Sequence, residues 1–97
     1  MEKMTEAQIN SAMERVPNWA ETGESIQRTV ALKNFLESMA LVNRIAAEAE
    51  RVNHHPDILI RYNKVTLTLS THDAGGLTSK DFDLARTIDT LVATKAG

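Results

Sequence analysis

The stretch from Asn34 to Pro56 does most to limit what this chain can fold into. Phe35, Met39, Val42, Ala46 and Ala49 recur at helical spacing, with Leu36, Ile45 and Val52 beside them, which predicts one long helix over residues 35–52 carrying an apolar stripe. Asn34, followed three residues later by Glu37, supplies an N-cap pair. Pro56 disfavours helical geometry at His55, and Asn53 suits the left-handed turn that closes helices. A helix of that length must lay its stripe against something, and the segments flanking it read as strands in pairs.

Upstream, Asn18 to Lys33 reads as a hairpin with a short strand around Trp19, a turn at Thr22-Gly23-Glu24 and a second strand from Ile26 to Lys33. Ile26, Val30 and Leu32 share a parity in that strand, with Arg28 the exception. Downstream, Asp57 to Tyr62 and Lys64 to Thr71 read as two strands joined tightly at Asn63-Lys64. Val65, Leu67 and Leu69 alternate with Thr66, Thr68 and Ser70, and His72 continues the polar row. Two outer helices complete the order. Thr5-Glu6-Ala7-Gln8 has the form of a capping box and opens a helix over residues 6–15, ended by Pro17 acting on Val16. Thr78-x-x-Asp81 caps a last helix whose core face is Phe82, Ala85, Ile88 or Asp89, and Val92. The order α-β-β-α-β-β-α predicts an α+β fold, a four-stranded antiparallel sheet with three helices packed on one face. Ninety-seven residues suit one domain over positions 1–97.

The side chains present exclude several chemistries. With no cysteine, disulfides, thiolate zinc sites, iron–sulfur clusters and thiol nucleophiles are ruled out. Thirteen acidic against eleven basic residues, with no long run of Lys or Arg, lack the electrostatic footprint of direct nucleic-acid binding. No apolar run approaches the roughly 18 residues of a membrane-spanning helix, so a cytoplasmic protein without membrane contact is expected.

What remains is a small set of groups able to move protons. His54 and His55 fall in the turn after the long helix, His72 follows the last strand, and Asp81 sits in the first turn of the last helix. If the hairpin brings its outer ends together, residues near 55 and 72 become neighbours and three imidazoles line one rim of the sheet. An unperturbed imidazole, with a pKa of about 6.5, gives and takes protons at neutral pH. Each residue also has a plainer role. A histidine beside a helix-ending proline serves a turn, Asp81 serves as a cap, Glu50 as a solvated helix residue, and Trp19 and Tyr62 as core or interface aromatics. A metal site is disfavoured, because adjacent histidines point in different directions and no His-x-x-x-His or His-x-x-Glu pair on one helix is present.

The string Glu50-x-x-x-His54-His55-Pro56, followed by Tyr62, His72 and Asp81 with intervals of 5, 9 and 8 residues, resembles the signature of the pterin-4a-carbinolamine dehydratases. The resemblance extends from Trp19 to Val92, through Tyr62-Asn63-Lys64-Val65, Leu69-Ser70-Thr71-His72 and Gly76-Leu77-Thr78. It implies loss of water from a 4a-hydroxytetrahydropterin to give the quinonoid dihydropterin, with no cofactor and no metal. It also implies a catalytic set of His54, His55, His72 and Asp81, with His54 and His72 as proton-transfer groups, His55 chiefly binding and orienting, and Asp81 orienting a histidine. Glu50 would support the turn or the pterin edge, and Trp19, Asn53, His54, His55, Ser70, Thr71, His72 and Asp73 would contact the substrate. Some members carry Asp at the position of Asn53 and Glu at that of Asp73, which bears on the charge at the pocket edge. The resemblance further implies a homodimer or homotetramer. It carries two alternatives, a protein-interaction module like the dimerisation cofactor of a homeodomain transcription factor, and a dehydratase-like protein of molybdenum cofactor metabolism.

Overall fold

The computed structural model describes residues 2–94. Its elements are α1 (Glu6–Met13), β1 (Ala20–Thr22), β2 (Ser25–Ala31), α2 (Phe35–Val52), β3 (Asp57–Arg61), β4 (Lys64–Leu69), a 3-10 turn (His72–Ala74) and α3 (Ser79–Thr94). The four strands form one antiparallel sheet in the order β1-β2-β4-β3, so the α+β order expected from the sequence is the order observed.

Register decides which face each residue serves, because directly paired residues point the same way. Ile26 pairs with Leu69, Arg28 with Leu67, and Val30 with Val65; these rows face the helices and, apart from Arg28, are buried. Gln27 pairs with Thr68 and Thr29 with Thr66 on the opposite face, where the Gln27 amide donates to Thr68 Oγ1 at 3.1 Å and the Thr29 and Thr66 hydroxyls meet at 2.8 Å. Along these rows the uncovered face is polar and hydrogen-bonded to itself, while Leu59 of β3, paired with Thr66, leaves an exposed apolar side chain on the same face. Arg28, the odd residue of its row, reaches Asp89 of α3, whose Oδ1 also accepts from Trp19 Nε1 at 2.8 Å. One carboxylate thus closes the core where Ile88 and Asp89 competed for the inward position, and it is Ile88 that is buried.

Several boundaries differ from the sequence expectation for identifiable reasons. α1 stops at Met13 rather than 15, because Arg15 and Val16 donate to carbonyls three residues back, at 3.0 and 3.1 Å, tightening the chain before Pro17. Trp19 precedes its strand, its N–H being held by the Val16 carbonyl at 3.0 Å. The β3–β4 turn lies at Tyr62-Asn63, one residue earlier than expected, with Tyr62 left-handed at φ 53°. That unusual conformation for a bulky residue is held by buried Ser38 donating to the Tyr62 carbonyl at 2.8 Å, and by Asn63 bonding Leu32 in both directions. β4 ends at Leu69, after which the Ser70 hydroxyl donates to the Glu24 carbonyl at 2.8 Å and Thr71 bridges to Gly76.

The face of α2 also differs. Its buried line is Ser38, Leu41, Ile45 and Ala49, about one position off the stripe read from sequence, because the helix beds against β4 and α3 along that line. Phe35, Leu36 and Val52 are left exposed, as are Ile58 and Leu59 on edge strand β3.

Candidate active site

α2 ends in a way that fixes the first two histidines. Asn53 takes the left-handed conformation at φ 54° and ψ 46°, and the His54 N–H returns to the Ala49 carbonyl at 3.1 Å, a closure that caps the helix's last carbonyls. Pro56 then starts the chain toward β3, so His54 and His55 leave the turn in opposite directions.

His54 turns inward, toward the helix layer. Its Nε2–H donates to Asp81 Oδ1 at 2.6 Å, with 11% of the histidine side chain and none of the aspartate exposed. Asp81 Oδ2 accepts from the Thr71 hydroxyl at 2.8 Å and from the Thr78 N–H at 2.9 Å. Since Thr71 gives its proton to Asp81, the Thr78 hydroxyl is the donor in the 2.8 Å bond between the two threonines. Asp81 thus bonds the first turn of α3 through one oxygen and a histidine through the other. Donation from Nε2 leaves His54 Nδ1 as the nitrogen open to proton exchange, and the ring borders a cavity of about 190 Å³ with Arg51, Lys80 and Thr87.

His55 turns outward and, with His72, lines a cleft of about 410 Å³ at the end of the uncovered face. That volume lies within the roughly 300–1,000 Å³ of small-molecule sites. β4 and its extension contribute Thr68 and Ser70, the start of β3 contributes Asp57, the β1–β2 turn contributes Glu24 and Ser25, and Gly75 and Gly76 close the far side. His55 Nε2–H donates to Glu50 Oε2 at 2.6 Å in an exposed pair. Among the described residues the His72 ring makes no hydrogen bond, while its carbonyl accepts from Gly75, left-handed at φ 74°, and so sets the tight turn that carries the ring.

The structure therefore divides the expected set. His55, His72 and Ser70 share the cleft, with Glu50 braced on His55. His54, Thr71 and Asp81 form a buried network beside it. The structure does not bring Trp19 there, since the indole is in the core and its N–H is spent on Asp89. Asn53 and Asp73 are exposed and outside the cleft lining. Glu24, Ser25, Asp57 and Thr68 line it without having been singled out from sequence; for Asp57 the signal was present, two residues from His55 in an extended segment. Among the described residues no three His, Asp or Glu side chains converge as metal ligands. A groove of equal volume beside α3, lined by Arg15, Asp83, Arg86 and Asp89, holds no histidine.

The profile of the family described as Pterin 4 alpha carbinolamine dehydratase matches residues 2–91. The chain belongs to the pterin-4-alpha-carbinolamine dehydratase family. It is 52% identical over 90 residues to a protein of Nocardia farcinica, covering 93% of this chain and 95% of that one, and 49% identical over 89 residues to a protein of Picosynechococcus sp., covering 92% and 97%. Both carry the name "Putative pterin-4-alpha-carbinolamine dehydratase". Among solved structures, one from Brucella melitensis described as a transcriptional coactivator/pterin dehydratase superposes with a TM-score of 0.89 at 30% identity, covering 93% of this chain and 98% of that one. A pterin dehydratase-like protein described as a RuBisCO assembly factor in the alpha-carboxysome shares the fold, with a TM-score of 0.66 at 23% identity, over 77% of this chain and 89% of its own. Among the described residues of this dehydratase-family chain, no helix is long and apolar enough to cross a membrane.

Proposed function

We propose that this protein dehydrates a 4a-hydroxytetrahydropterin to the quinonoid dihydropterin by histidine acid–base catalysis, returning an oxidised tetrahydropterin cofactor to its recycling route. The observation that carries the reading is the open cleft of about 410 Å³ walled by His55 and His72; His54, locked by the buried Asp81 carboxylate, borders a separate cavity. The reaction needs one proton delivered to the 4a-hydroxyl as the C4a–O bond breaks, the N5 lone pair to assist, and one proton removed from the ring system; water leaves, and no electron is gained or lost overall. Two positioned proton-transfer groups meet that need. We assign those roles to His72, which lines the cleft with no ring hydrogen bond among the described residues, and to His54. The Nδ1 of His54 is left free because Asp81 holds Nε2, and its ring borders the cavity it shares with Arg51 and Lys80. His55, steadied by Glu50, orients the pterin. The test is to generate the carbinolamine enzymatically and follow its decay by absorbance. Catalytic amounts of protein are expected to accelerate the decay well beyond the spontaneous rate, and an unchanged rate overturns the reading.

A second reading, a protein-interaction module, draws on the similarity to the Brucella melitensis protein described as a transcriptional coactivator/pterin dehydratase and on the exposed apolar residues of α2 and β3. Leu36 is 76% and Leu59 55% exposed, and β3 is an edge strand with an unpaired row of backbone groups. We assign these surfaces first to copies of the same chain, forming a homodimer or homotetramer. Light scattering at micromolar concentration is expected to return two or four times the monomer mass, and a monomer mass refutes the assignment.

A further inference from the structure

Asp57 opens β3 two residues after His55, with Pro56 between them. It pairs with Thr68, and Thr68 with Gln27, so Asp57 and Thr68 stand together on the uncovered face, inside the cleft that His55 and His72 also line. Its backbone is held on one side by proline and on the other by the strand ladder. Among the described residues its carboxylate makes no hydrogen bond. Thr68 Oγ1 accepts from the Gln27 amide at 3.1 Å, which leaves the Thr68 hydroxyl proton free to donate. The cleft floor thus offers two carboxylate acceptors beside one hydroxyl donor.

A pterin carries the complementary edge: the 2-amino group and N3–H donate in parallel, and O4 accepts. We propose that Asp57 is the residue that positions the pterin ring, its carboxylate accepting from the 2-amino group and N3–H while Thr68 donates to O4. The assignment rests on the reading of the cleft as a pterin site. A parallel donor pair fits a carboxylate in the bidentate manner that makes such contacts short and directional. Glu24, the other carboxylate of the cleft, stands on the two-residue turn between β1 and β2. It has one more rotor to immobilise, whereas Asp57 is presented from a strand and is the better preorganised of the two.

The experiment compares 6-methyl-7,8-dihydropterin with the matching dihydrolumazine, in which a carbonyl replaces the 2-amino group, by fluorescence titration of the wild type, Asp57→Asn and Glu24→Gln, together with the dehydration kinetics of each. Wild type is expected to prefer the pterin by about tenfold or more, the scale of a charge-assisted hydrogen bond. An asparagine presents one acceptor and one donor, so Asp57→Asn should abolish the preference and raise KM with kcat little changed, while Glu24→Gln keeps the preference for the pterin. Equal affinity for the two rings in wild type, a preference that survives Asp57→Asn, or one that vanishes in Glu24→Gln instead, overturns the assignment. A wild type that neither binds the pterin nor accelerates dehydration removes the pterin site itself, and Asp57's role with it.

Discussion

His72→Ala is expected to slow dehydration by about 10²- to 10⁴-fold, the usual worth of a positioned proton-transfer group, while leaving the unfolding midpoint where it is. The two halves of that expectation have separate causes. His72 is exposed, sits on a 3-10 turn closed by backbone bonds rather than by its ring, and has no side-chain hydrogen bond among the described residues; removing the imidazole therefore strands no buried partner. The ring does line the cleft, so its loss falls on kcat. Because the cleft is open, imidazole added to the His72→Ala protein is expected to restore part of the rate in proportion to its basic form, which a purely structural histidine would not allow. Full activity in His72→Ala sinks the assignment. His54→Ala provides the contrast. It too is expected to lose activity, but it also leaves Asp81 buried with one donor missing, so its midpoint should fall.

The difference between these two histidines shows how far the chain could be read from its residues. The elements were legible because they depend on short-range rules: the capping box at Thr5 and Gln8, the N-cap at Asn34 and the left-handed Asn53 all form the bonds their spacing implied. The direction of each imidazole was not legible in the same way. His54 and His55 are neighbours in sequence, and only the α2 closure, followed by Pro56, sends one to Asp81 and the other to the cleft. Asp81 illustrates the limit from the other side. Spacing alone could not decide between a cap and a histidine partner, because a carboxylate has two oxygens and the fold uses one for each. Trp19 carried two readings, a core aromatic from its residue type and a substrate contact from the resemblance, because a tryptophan near a site motif says nothing of where its N–H finds an acceptor; here it is buried and that acceptor is Asp89, on α3. The α2 stripe shifted because apolar residues cover more of the helix than one sheet face needs, and periodicity does not say which part of a wide stripe the sheet takes.

Asp81→Asn is expected to cost activity about as heavily as losing a histidine while sparing most of the stability that Asp81→Ala removes. The backbone decides how the asparagine must sit. The Thr78 N–H is a fixed donor with no alternative role, and it points at Oδ2 from 2.9 Å, alongside the Thr71 hydroxyl at 2.8 Å. The asparagine oxygen is therefore held on that side, which turns its NH₂ toward His54. Two donors cannot face each other at the 2.6 Å separation now seen, so His54 must present an unprotonated Nε2 and carry its proton on Nδ1. That reverses the nitrogen available for exchange, and a wrong imidazole tautomer in an otherwise intact dyad has a large kinetic cost, about 10²-fold or more by comparison with other carboxylate–histidine pairs. Stability should fall by only about 1–2 kcal/mol, since the cap survives. Asp81→Ala strands the Thr78 N–H, the Thr71 hydroxyl and His54 Nε2 together and should cost about 3 kcal/mol or more. Nitrogen NMR of the His54 ring reads the tautomer directly, chemical denaturation reads the stability, and the dehydration assay reads the rate. If Asp81→Asn turns over at the wild-type rate, or if Nε2 still carries the proton in that variant, Asp81 acts only as a helix cap, and the proton-transfer role given to His54 falls with it.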